Sequence, residues 1–255
     1  MRVVVITGAS SGIGKEFALQ LDKGLSTIDE FWLVARNEER LEELASRLTH
    51  KARLFPMDIT EEENLESLEM QLMDRGAKVS MLIVCAGVGY IGDFQDLSNE
   101  KHLEVIRLNC EALTNTIAHV VPYMHQNARI ITLASSSAFL PQPGFASYAA
   151  SKSYVYSLSK AIGQELKCEG IHLTCVCPGP VDTPFLANAN KTGEGLALKK
   201  LFTADPKAVV QKALRDSAKK RSVSIYGISM KASSMAVKML PQDLFLECIS
   251  LLRNH

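Results

Sequence analysis

The chain has 255 residues, 47% hydrophobic and 22% charged, a mixture that can bury a large core and excludes disordered and fibrous proteins. Its 28 basic and 28 acidic residues give a formal net charge of zero, so we expect neither nucleic acid nor an anionic membrane surface as the main partner. No apolar run reaches the roughly 18 residues of a membrane span, and the N-terminus lacks a secretory signal. We therefore expect one enzyme-sized domain over residues 1–255, located in the cytoplasm.

Short β-branched runs alternate with segments of helical periodicity along the chain. Runs of this kind are typical of strands buried on both faces of a parallel sheet. Asn37 and a Thr60–Glu63 capping box are predicted to start two of the intervening helices. The alternation predicts an α/β fold with a doubly wound parallel sheet and helices on both faces. The seven predicted strands are Arg2–Ile6, Phe31–Ala35, Arg53–Met57, Met81–Cys85, Arg129–Leu133, Ile171–Cys177 and Ser222–Tyr226.

Two later stretches depart from this alternation. Residues 184–205 form a long connection with two glycines, which we expect to be a substrate lid, with a plain surface excursion as the alternative. Residues 231–255 carry apolar helical patterning. We expect this tail to pack in the core, since the basic face of a membrane-surface helix is thin.

The segment Thr7–Gly14, TGASSGIG, follows the first predicted strand directly and opens a helix. Glycines at this spacing permit a tight turn and a close backbone approach to a pyrophosphate, and the helix N-terminus offers unpaired N–H groups to it. The strand before and the helix after supply the context that a dinucleotide site requires. A dinucleotide cofactor is therefore predicted.

The end of the second strand distinguishes the two nicotinamide cofactors. NAD sites usually place a carboxylate there for the ribose 2′-hydroxyl, but this chain has Arg36. A guanidinium suits a 2′-phosphate, and a solvated cation near a helix start would oppose the helix dipole. NADP is therefore favoured over NAD.

Tyr148 and Lys152 are four residues apart, one turn along a single helix face. A nearby cation stabilises a phenolate and lowers the pKa of the phenol towards the working range of an acid or base. Ser135 follows the fifth strand, at the sheet edge where such folds bind ligands, and could donate to a substrate oxygen. Ser136 and Ser137 are expected to serve the backbone of the turn.

Several motifs occur in order along nearly the whole chain. They are TGASSGIG at Thr7–Gly14, Asp58, Ala86-Gly87, Asn109, Ser135, YAASK at Tyr148–Lys152 and PGPVDT at Pro178–Thr183. Together they resemble the short-chain dehydrogenase/reductase family, in its single-domain branch with a Rossmann-like sheet.

The resemblance implies a catalytic tetrad of Asn109, Ser135, Tyr148 and Lys152. Tyr148 would be the general acid/base, and Ser135 would orient the carbonyl group. Lys152 would hold the nicotinamide ribose and lower the pKa of Tyr148. Asn109 would connect Lys152 to solvent through its helix backbone and a water molecule.

The resemblance also implies cofactor contacts along one edge of the sheet. The glycine-rich segment would lie along the phosphates, Asp58 near the adenine, and the Pro178–Thr183 motif at the nicotinamide end. The residues expected to bind NADP are Gly8, Ser10, Ser11, Gly12, Ile13, Gly14, Arg36, Asp58, Ala86, Gly87, Asn109, Tyr148, Lys152, Pro178, Val181 and Thr183.

One departure from the family pattern is Val84-Cys85, where two asparagines usually precede Ala-Gly. The change puts local stability in question more than chemistry. Cys85 is expected to pack as a small hydrophobe, since no cation lies nearby in sequence to activate it. Cys175 and Cys177 share one strand face, but two thiols do not make a zinc site, and no metal is predicted. The six cysteines form no disulfide framework.

Two functions remain in view. The first is an NADP(H)-dependent oxidoreductase that transfers hydride between nicotinamide and a carbonyl or secondary alcohol, and the second is a non-catalytic NADP(H)-binding regulatory protein. Apolar residues near the motifs favour a lipophilic small-molecule substrate, although they could equally be core or dimer contacts. They are Phe139, Leu140, Phe145, Phe185 and Leu186. An epimerase or dehydratase is disfavoured because no second domain follows.

The resemblance further implies a homodimer or homotetramer. Its interface would use the predicted helices Asn109–Gln126 and Tyr148–Cys168. Tyr154, Leu158 and Ile162 form an apolar stripe on the second helix, which can be either interface or core.

Overall fold

The computed structural model describes residues 1–189, 203–227 and 246–247, with a seven-stranded sheet in those ranges. The strands are Arg2–Thr7 (β1), Glu30–Ala35 (β2), Lys51–Pro56 (β3), Lys78–Val84 (β4), Met124–Leu133 (β5), His172–Val176 (β6) and Val223–Ser224 (β7). Their order across the sheet is β3-β2-β1-β4-β5-β6-β7, and every neighbouring pair is parallel. The predicted parallel α/β sheet is confirmed.

Helices connect the strands as crossovers. In the described part of the chain they are Gly12–Gly24 (α1), Glu38–Ala45 (α2), Glu62–Asp74 (α3), Asn99–Ile106 (α4), Ala112–Val120 (α5), Ala146–Glu165 (α6), Pro184–Ala189 (α7) and Pro206–Ala218 (α8). A π-helical turn, Arg107–Glu111, joins α4 to α5.

The core has one layer on each face of the sheet. Along β1, Val3 and Val5 belong to the layer covered by α3, α5 and α6, whereas Val4 and Ile6 belong to the layer covered by α1, α2 and α8. All four side chains are fully buried. Burial on both faces explains why the strand is a continuous β-branched run without alternation.

The direction of winding reverses between β1 and β4, which are neighbours in space but not in sequence. At such a switch point the segments after the two strands separate towards opposite faces and leave a crevice at their carboxyl ends. The glycine-rich segment after β1 and Cys85-Ala86-Gly87 after β4 lie at this point.

Several predicted boundaries were wrong. The helix expected over Asn109–Gln126 ends before Met124, where β5 begins, because Met124 pairs with Val79 of β4. The Thr60–Glu63 capping box does not form. The backbone N–H and the hydroxyl of Thr60 both donate to Asp58 Oδ1, at 3.0 and 2.8 Å, and α3 starts two residues later. The Asn37 cap is confirmed by a 2.8 Å bond from Arg40 N–H.

The predicted lid lies partly outside the described residues. Pro184–Ala189 is the short helix α7, and the chain is described again from Thr203, where Ala204 forms a bridge with Val181. The tail prediction, residues 231–255, lies outside the described residues except for 246–247.

Candidate active site

The glycine-rich turn after β1 has no room for side chains at two positions. Gly8 has φ +66°, and a Cβ on it would lie 2.7 Å from the backbone nitrogen of Ala86. A Cβ on Gly14 would collide with the carbonyl oxygen of Gly8. The turn therefore packs backbone against backbone and leaves the N-terminus of α1 open to a ligand.

A cavity of about 630 Å³ runs along the carboxyl edge of the sheet, from the end of β2 to α7. It has the size of a small-molecule site. Of the residues predicted for catalysis and cofactor binding, all but Asn109 line it. These are Gly8, Ser10, Ser11, Gly12, Ile13, Gly14, Arg36, Asp58, Ala86, Gly87, Ser135, Tyr148, Lys152, Pro178, Val181 and Thr183.

Two guanidinium groups lie at the β2 end of this cavity. Arg36 is paired with Asp58 at 3.6 Å, and its side chain remains 69% exposed. Arg40, on the first turn of α2, also lines the cavity. Sequence reasoning missed Arg40, although a second arginine four residues after Arg36, on the first turn of the predicted helix, was a usable signal.

At the other end of the cavity, Tyr148 is buried among aromatic rings. Phe145 stacks on it with centroids 4.2 Å apart, and Phe185 of α7 lies at 5.4 Å. Burial raises the pKa of Tyr148 to about 12, and a hydrogen bond with Ser135 acts in the opposite direction. In the described residues, burial therefore outweighs the lowering of this pKa that the sequence led us to expect.

Lys152 is also buried, 4% exposed, with its Nζ 5.5 Å from the centroid of the Tyr148 ring. The ammonium group donates to the carbonyl oxygen of Leu133 at 2.9 Å. Burial lowers the pKa of Lys152 from 10.5 to about 8. The cation predicted beside the phenol therefore lies over its ring, and it can lose its proton near neutral pH.

Asn109 lies in the π-helical turn and is fully buried. Its Oδ1 accepts from Val88 N–H, and its Nδ2 donates to the Val88 carbonyl oxygen and to Ser151 Oγ, each at 2.9 Å. A Cβ on Gly87 would lie 3.1 Å from Asn109 Oδ1 and 3.3 Å from Lys152 Nζ. Asn109 therefore fixes the segment after β4 beside Lys152, just behind the cavity wall.

Ser135 begins a short 3-10 turn and is 8% exposed. Its Oγ accepts from the backbone N–H of Ser137 at 3.1 Å and donates to Ser137 Oγ at 3.2 Å. Ser137 Oγ in turn donates to Gln142 Oε1 at 3.1 Å. The side chain of Ser137 therefore bonds to other side chains, contrary to the expectation that it serves the turn backbone, and Gln142 was missed.

The cysteines of the described residues form no disulfide. Burial raises the pKa of Cys85 to about 12, against the opposing effect of Lys152, so this thiol is not activated. The Sγ atoms of Cys175 and Cys177 lie 3.9 Å apart. Over residues 1–189, 203–227 and 246–247, no group of three or more potential ligands could hold a metal ion. Within the same ranges, no helix combines the length and apolarity of a bilayer span.

Comparison with known proteins gives consistent relatives. The family described as short chain dehydrogenase matches residues 2–194. The chain is 32% identical over 187 residues to an uncharacterized oxidoreductase of Staphylococcus epidermidis, covering 72% of this chain and 80% of that protein. It is 33% identical over 183 residues to a very-long-chain 3-oxoacyl-CoA reductase of Phaeosphaeria nodorum, covering 68% of this chain and 52% of the reductase. The match therefore spans about half of the fungal protein.

Solved structures agree with the fold. A short-chain dehydrogenase from Sphingobium yanoikuyae in complex with NADPH has a TM-score of 0.79 at 28% identity, covering 96% of this chain and 95% of that chain. A short-chain dehydrogenase/reductase from Burkholderia phymatum in complex with NAD has a TM-score of 0.80 at 23% identity, with the same coverage. The second likeness bears on the fold alone.

Proposed function

The chain belongs to the short-chain dehydrogenase/reductase family of oxidoreductases, and from that premise we propose that it is an NADP(H)-dependent enzyme that interconverts a carbonyl group and a secondary alcohol. The observation that carries the proposal is one continuous cavity with the glycine-rich turn at one end and buried Ser135, Tyr148 and Lys152 at the other. A nucleotide and a proton-transfer group would thereby share one site.

The residues of the cavity fit a phosphorylated dinucleotide. The glycine-rich turn presents the backbone of α1's N-terminus, and Gly8 and Gly14 leave no side chain in its way. Arg36 and Arg40 offer two cations where a ribose 2′-phosphate would lie. Asp58 would lie near the adenine, and Pro178, Val181 and Thr183 near the nicotinamide. When bound, the nicotinamide supplies or accepts the hydride.

Tyr148 is the proposed general acid/base. With a pKa of about 12, its phenol is protonated at neutral pH and can donate to a developing alkoxide. Ser135 would donate a hydrogen bond to the same oxygen and hold it in place. Lys152 would hold the nicotinamide ribose and stabilise the phenolate that remains, and Asn109 would hold the Lys152 side of the site through Val88 and Ser151.

We propose that the substrate is lipophilic. Around Tyr148 the cavity is lined by apolar side chains from three segments, namely Ile91, Phe145, Phe185, Leu186 and Ala189. The likeness to a reductase of very-long-chain 3-oxoacyl-CoA, although it covers half of that protein, supports the same direction. Residues 184–205 would form the lid over this apolar end.

The direct test is consumption of NADPH with a panel of short ketones, diketones, quinones, steroids and β-ketoacyl thioesters. Tyr148→Phe should lower kcat at least 100-fold, because proton transfer contributes about 10²–10⁴-fold to such reactions. NADPH affinity should change less than about twofold. Tyr156→Phe, on the same helix but outside both the cavity and the proposed assembly surface, is the matched control. NADPH binding without turnover of any compound would favour the non-catalytic regulatory protein instead.

Cofactor choice has its own test. Arg36→Asp should weaken NADPH binding at least tenfold more than NADH binding, because a hydrogen bond to a charged group is worth about 1.5–3 kcal/mol. Fluorescence titration of both cofactors measures the difference. Arg47→Asp, in the segment that follows α2 and outside the cavity, controls for added negative charge. Equal losses for both cofactors would remove the 2′-phosphate assignment.

We further propose a homodimer or homotetramer located in the cytoplasm. The described cysteines form no disulfide, which is compatible with a reducing compartment. Exposed apolar side chains on α4 and α6 supply a surface for assembly: Leu103, Ile106 and Tyr154.

A further inference from the structure

A chain of hydrogen bonds leads from Ser135 away from the reacting end of the cavity. The Ser135 hydroxyl donates to Ser137, and Ser137 donates to Oε1 of Gln142. Ser135 and Ser137 are 8% and 7% exposed, so both hydroxyl groups depend on protein partners. In this arrangement the proton of Ser135 points at Ser137, whereas a carbonyl substrate needs that proton for itself.

Gln142 is held at the end of this chain by its backbone. It lies between Pro141 and Pro143, and its carbonyl oxygen accepts from Phe145 N–H at 3.0 Å. The two prolines restrict the backbone on either side, so the side chain is presented from a stiff turn. Gln142 also lines the cavity, and the two hydrogen bonds place its Oε1 within about 6 Å of Ser135 Oγ.

We propose that Ser137 and Gln142 are positioning residues that set the direction in which the Ser135 hydroxyl donates. The inference rests on the proposed function, in which Ser135 donates to a carbonyl oxygen. Each serine has one proton, so the chain can point towards Gln142 Oε1 or, when the Gln142 amide N–H donates to Ser137, towards the substrate. A glutamine supports both directions because its amide carries an acceptor and donors. The reversal rotates O–H bonds and an amide, and it breaks no covalent bond.

The two directions predict different effects for two substitutions of similar size. In Gln142→Glu the ionised carboxylate only accepts, which holds the protons pointing away from the substrate. A protonated carboxyl group regains a donor, so the effect should disappear in acid. In Gln142→Met the far partner is absent, and Ser137 is free to donate back to Ser135.

The experiment measures kcat/KM with NADPH and the panel carbonyl that the unaltered protein reduces fastest, from pH 5 to 8. The kcat/KM of each variant is divided by that of the unaltered protein at the same pH. This ratio removes the pH dependence that both proteins share through the titratable groups Tyr148, Lys152 and Cys85, which line the same cavity. We expect Gln142→Glu to be at least tenfold lower at pH 8 and to recover towards pH 5. Gln142→Met should stay within about threefold throughout. Equal losses in both variants, or no recovery in acid, would overturn the proposal.

A carboxylate at position 142 could also act on Tyr148 through space, and a second variant separates the two effects. Ser137→Ala removes the link in the chain while leaving the charge in place. If the chain carries the effect, Gln142→Glu costs less than about twofold in the Ser137→Ala background. An undiminished loss there would mean that charge alone acts, and would overturn the proposal.

NADPH affinity, measured by fluorescence, should be unchanged in all these variants, since none contacts the glycine-rich turn. This measurement distinguishes the inference from the function beneath it. If the unaltered protein reduced none of the panel carbonyls, the proposed reductase function and this inference would both be overturned. Turnover that requires Tyr148 but is indifferent to Gln142→Glu would overturn only the positioning role.

Discussion

Tyr148 and Lys152 are displaced from their ordinary ionisation ranges in opposite directions by the same cause, burial. Burial favours the neutral form of each group, so it raises the pKa of the phenol and lowers that of the ammonium. Below about pH 8 the phenol is protonated and the lysine charged. Between about pH 8 and 12 both groups are neutral. The Lys152 ammonium is then no longer present to stabilise the phenolate that forms when Tyr148 gives up its proton.

Reduction should therefore lose rate on the alkaline side at an unusually low pH for a lysine. Because the folded pKa of Lys152 is about 8, kcat/KM for carbonyl reduction should fall up to tenfold per pH unit above that value. Stopped-flow measurement between pH 6 and 10 gives the profile. In Lys152→Arg the side chain keeps its charge over this range. Any activity that the variant retains should therefore not fall above pH 8. A flat profile to pH 10 in the unaltered protein would contradict the assignment.

At this scale, local spacing predicted which groups meet but not how they ionise. The i, i+4 pair placed Tyr148 and Lys152 on one helix face, as the structure has them. The rise in the pKa of Tyr148 depends on Phe145 and Phe185, the second of which comes from α7. No local pattern reports that packing, so the direction of the shift was predicted wrongly.

At the scale of elements, boundaries were set by partners distant in sequence. The strand β5 begins at Met124 because Met124 pairs with Val79 of β4. Within the same strand, Asn127 adopts a left-handed φ of +69°. Asp58 likewise takes both donors of Thr60 and delays the start of α3. Periodicity identifies an element from its buried centre, whereas its ends respond to such competing hydrogen bonds.

One buried carboxylate joins the end of α1 to the segment before β3. Asp22 is 6% exposed and accepts from the backbone N–H groups of Thr49 and His50 and from both of their side chains. Burial alone would raise the pKa of Asp22, but these hydrogen bonds outweigh it and lower the pKa from 3.8 to about 2. The link therefore stabilises the fold only while Asp22 is ionised.

Asp22→Asn should lower the free energy of unfolding at pH 7 by about 2 kcal/mol or more, since the pKa is depressed by nearly two units. The depressed pKa means that this contribution is present above pH 3.8 and is lost as the pH falls through 2. The difference between the two proteins should thus shrink by about half at pH 3. Urea unfolding at both pH values measures it, with exposed Asp96→Asn as the control. A difference independent of pH would show that ionisation of Asp22 is not the cause.

At the scale of the whole molecule, the candidate site is assembled from segments that follow each of the strands β1 to β6, brought to one edge by the parallel sheet. Each segment was recognisable by itself in the sequence. The parallel direction of the strands then requires their carboxyl ends to coincide, which is why nearly every predicted residue lines one cavity. Gln142 also lines the cavity but carried no such signal, because it lies within the connection between β5 and α6 and not directly after a strand.

The proposed assembly surface also changes when the whole molecule is considered. Of the predicted stripe on α6, Leu158 and Ile162 pack against the core, and Tyr154 alone is 42% exposed. Leu103 and Ile106 of α4, which are 51% and 42% exposed, replace Leu158 and Ile162 in the proposed assembly surface. They are three residues apart and so share one helix face. Exposed apolar and aromatic side chains of this kind are the composition that interface cores favour.

Lys substitution of both Leu103 and Ile106 should therefore convert an oligomer into a monomer, because burying two ammonium groups in an apolar contact is unfavourable. Sedimentation velocity measures the change in mass. Met70 and Met73 of α3 are as exposed, at 53% and 61%, and the same double replacement there should leave the mass unchanged. If only the double replacement on α3 produced a monomer, the interface would lie on α3 and not on α4. If the unaltered protein were itself a monomer, the proposed oligomer would be wrong.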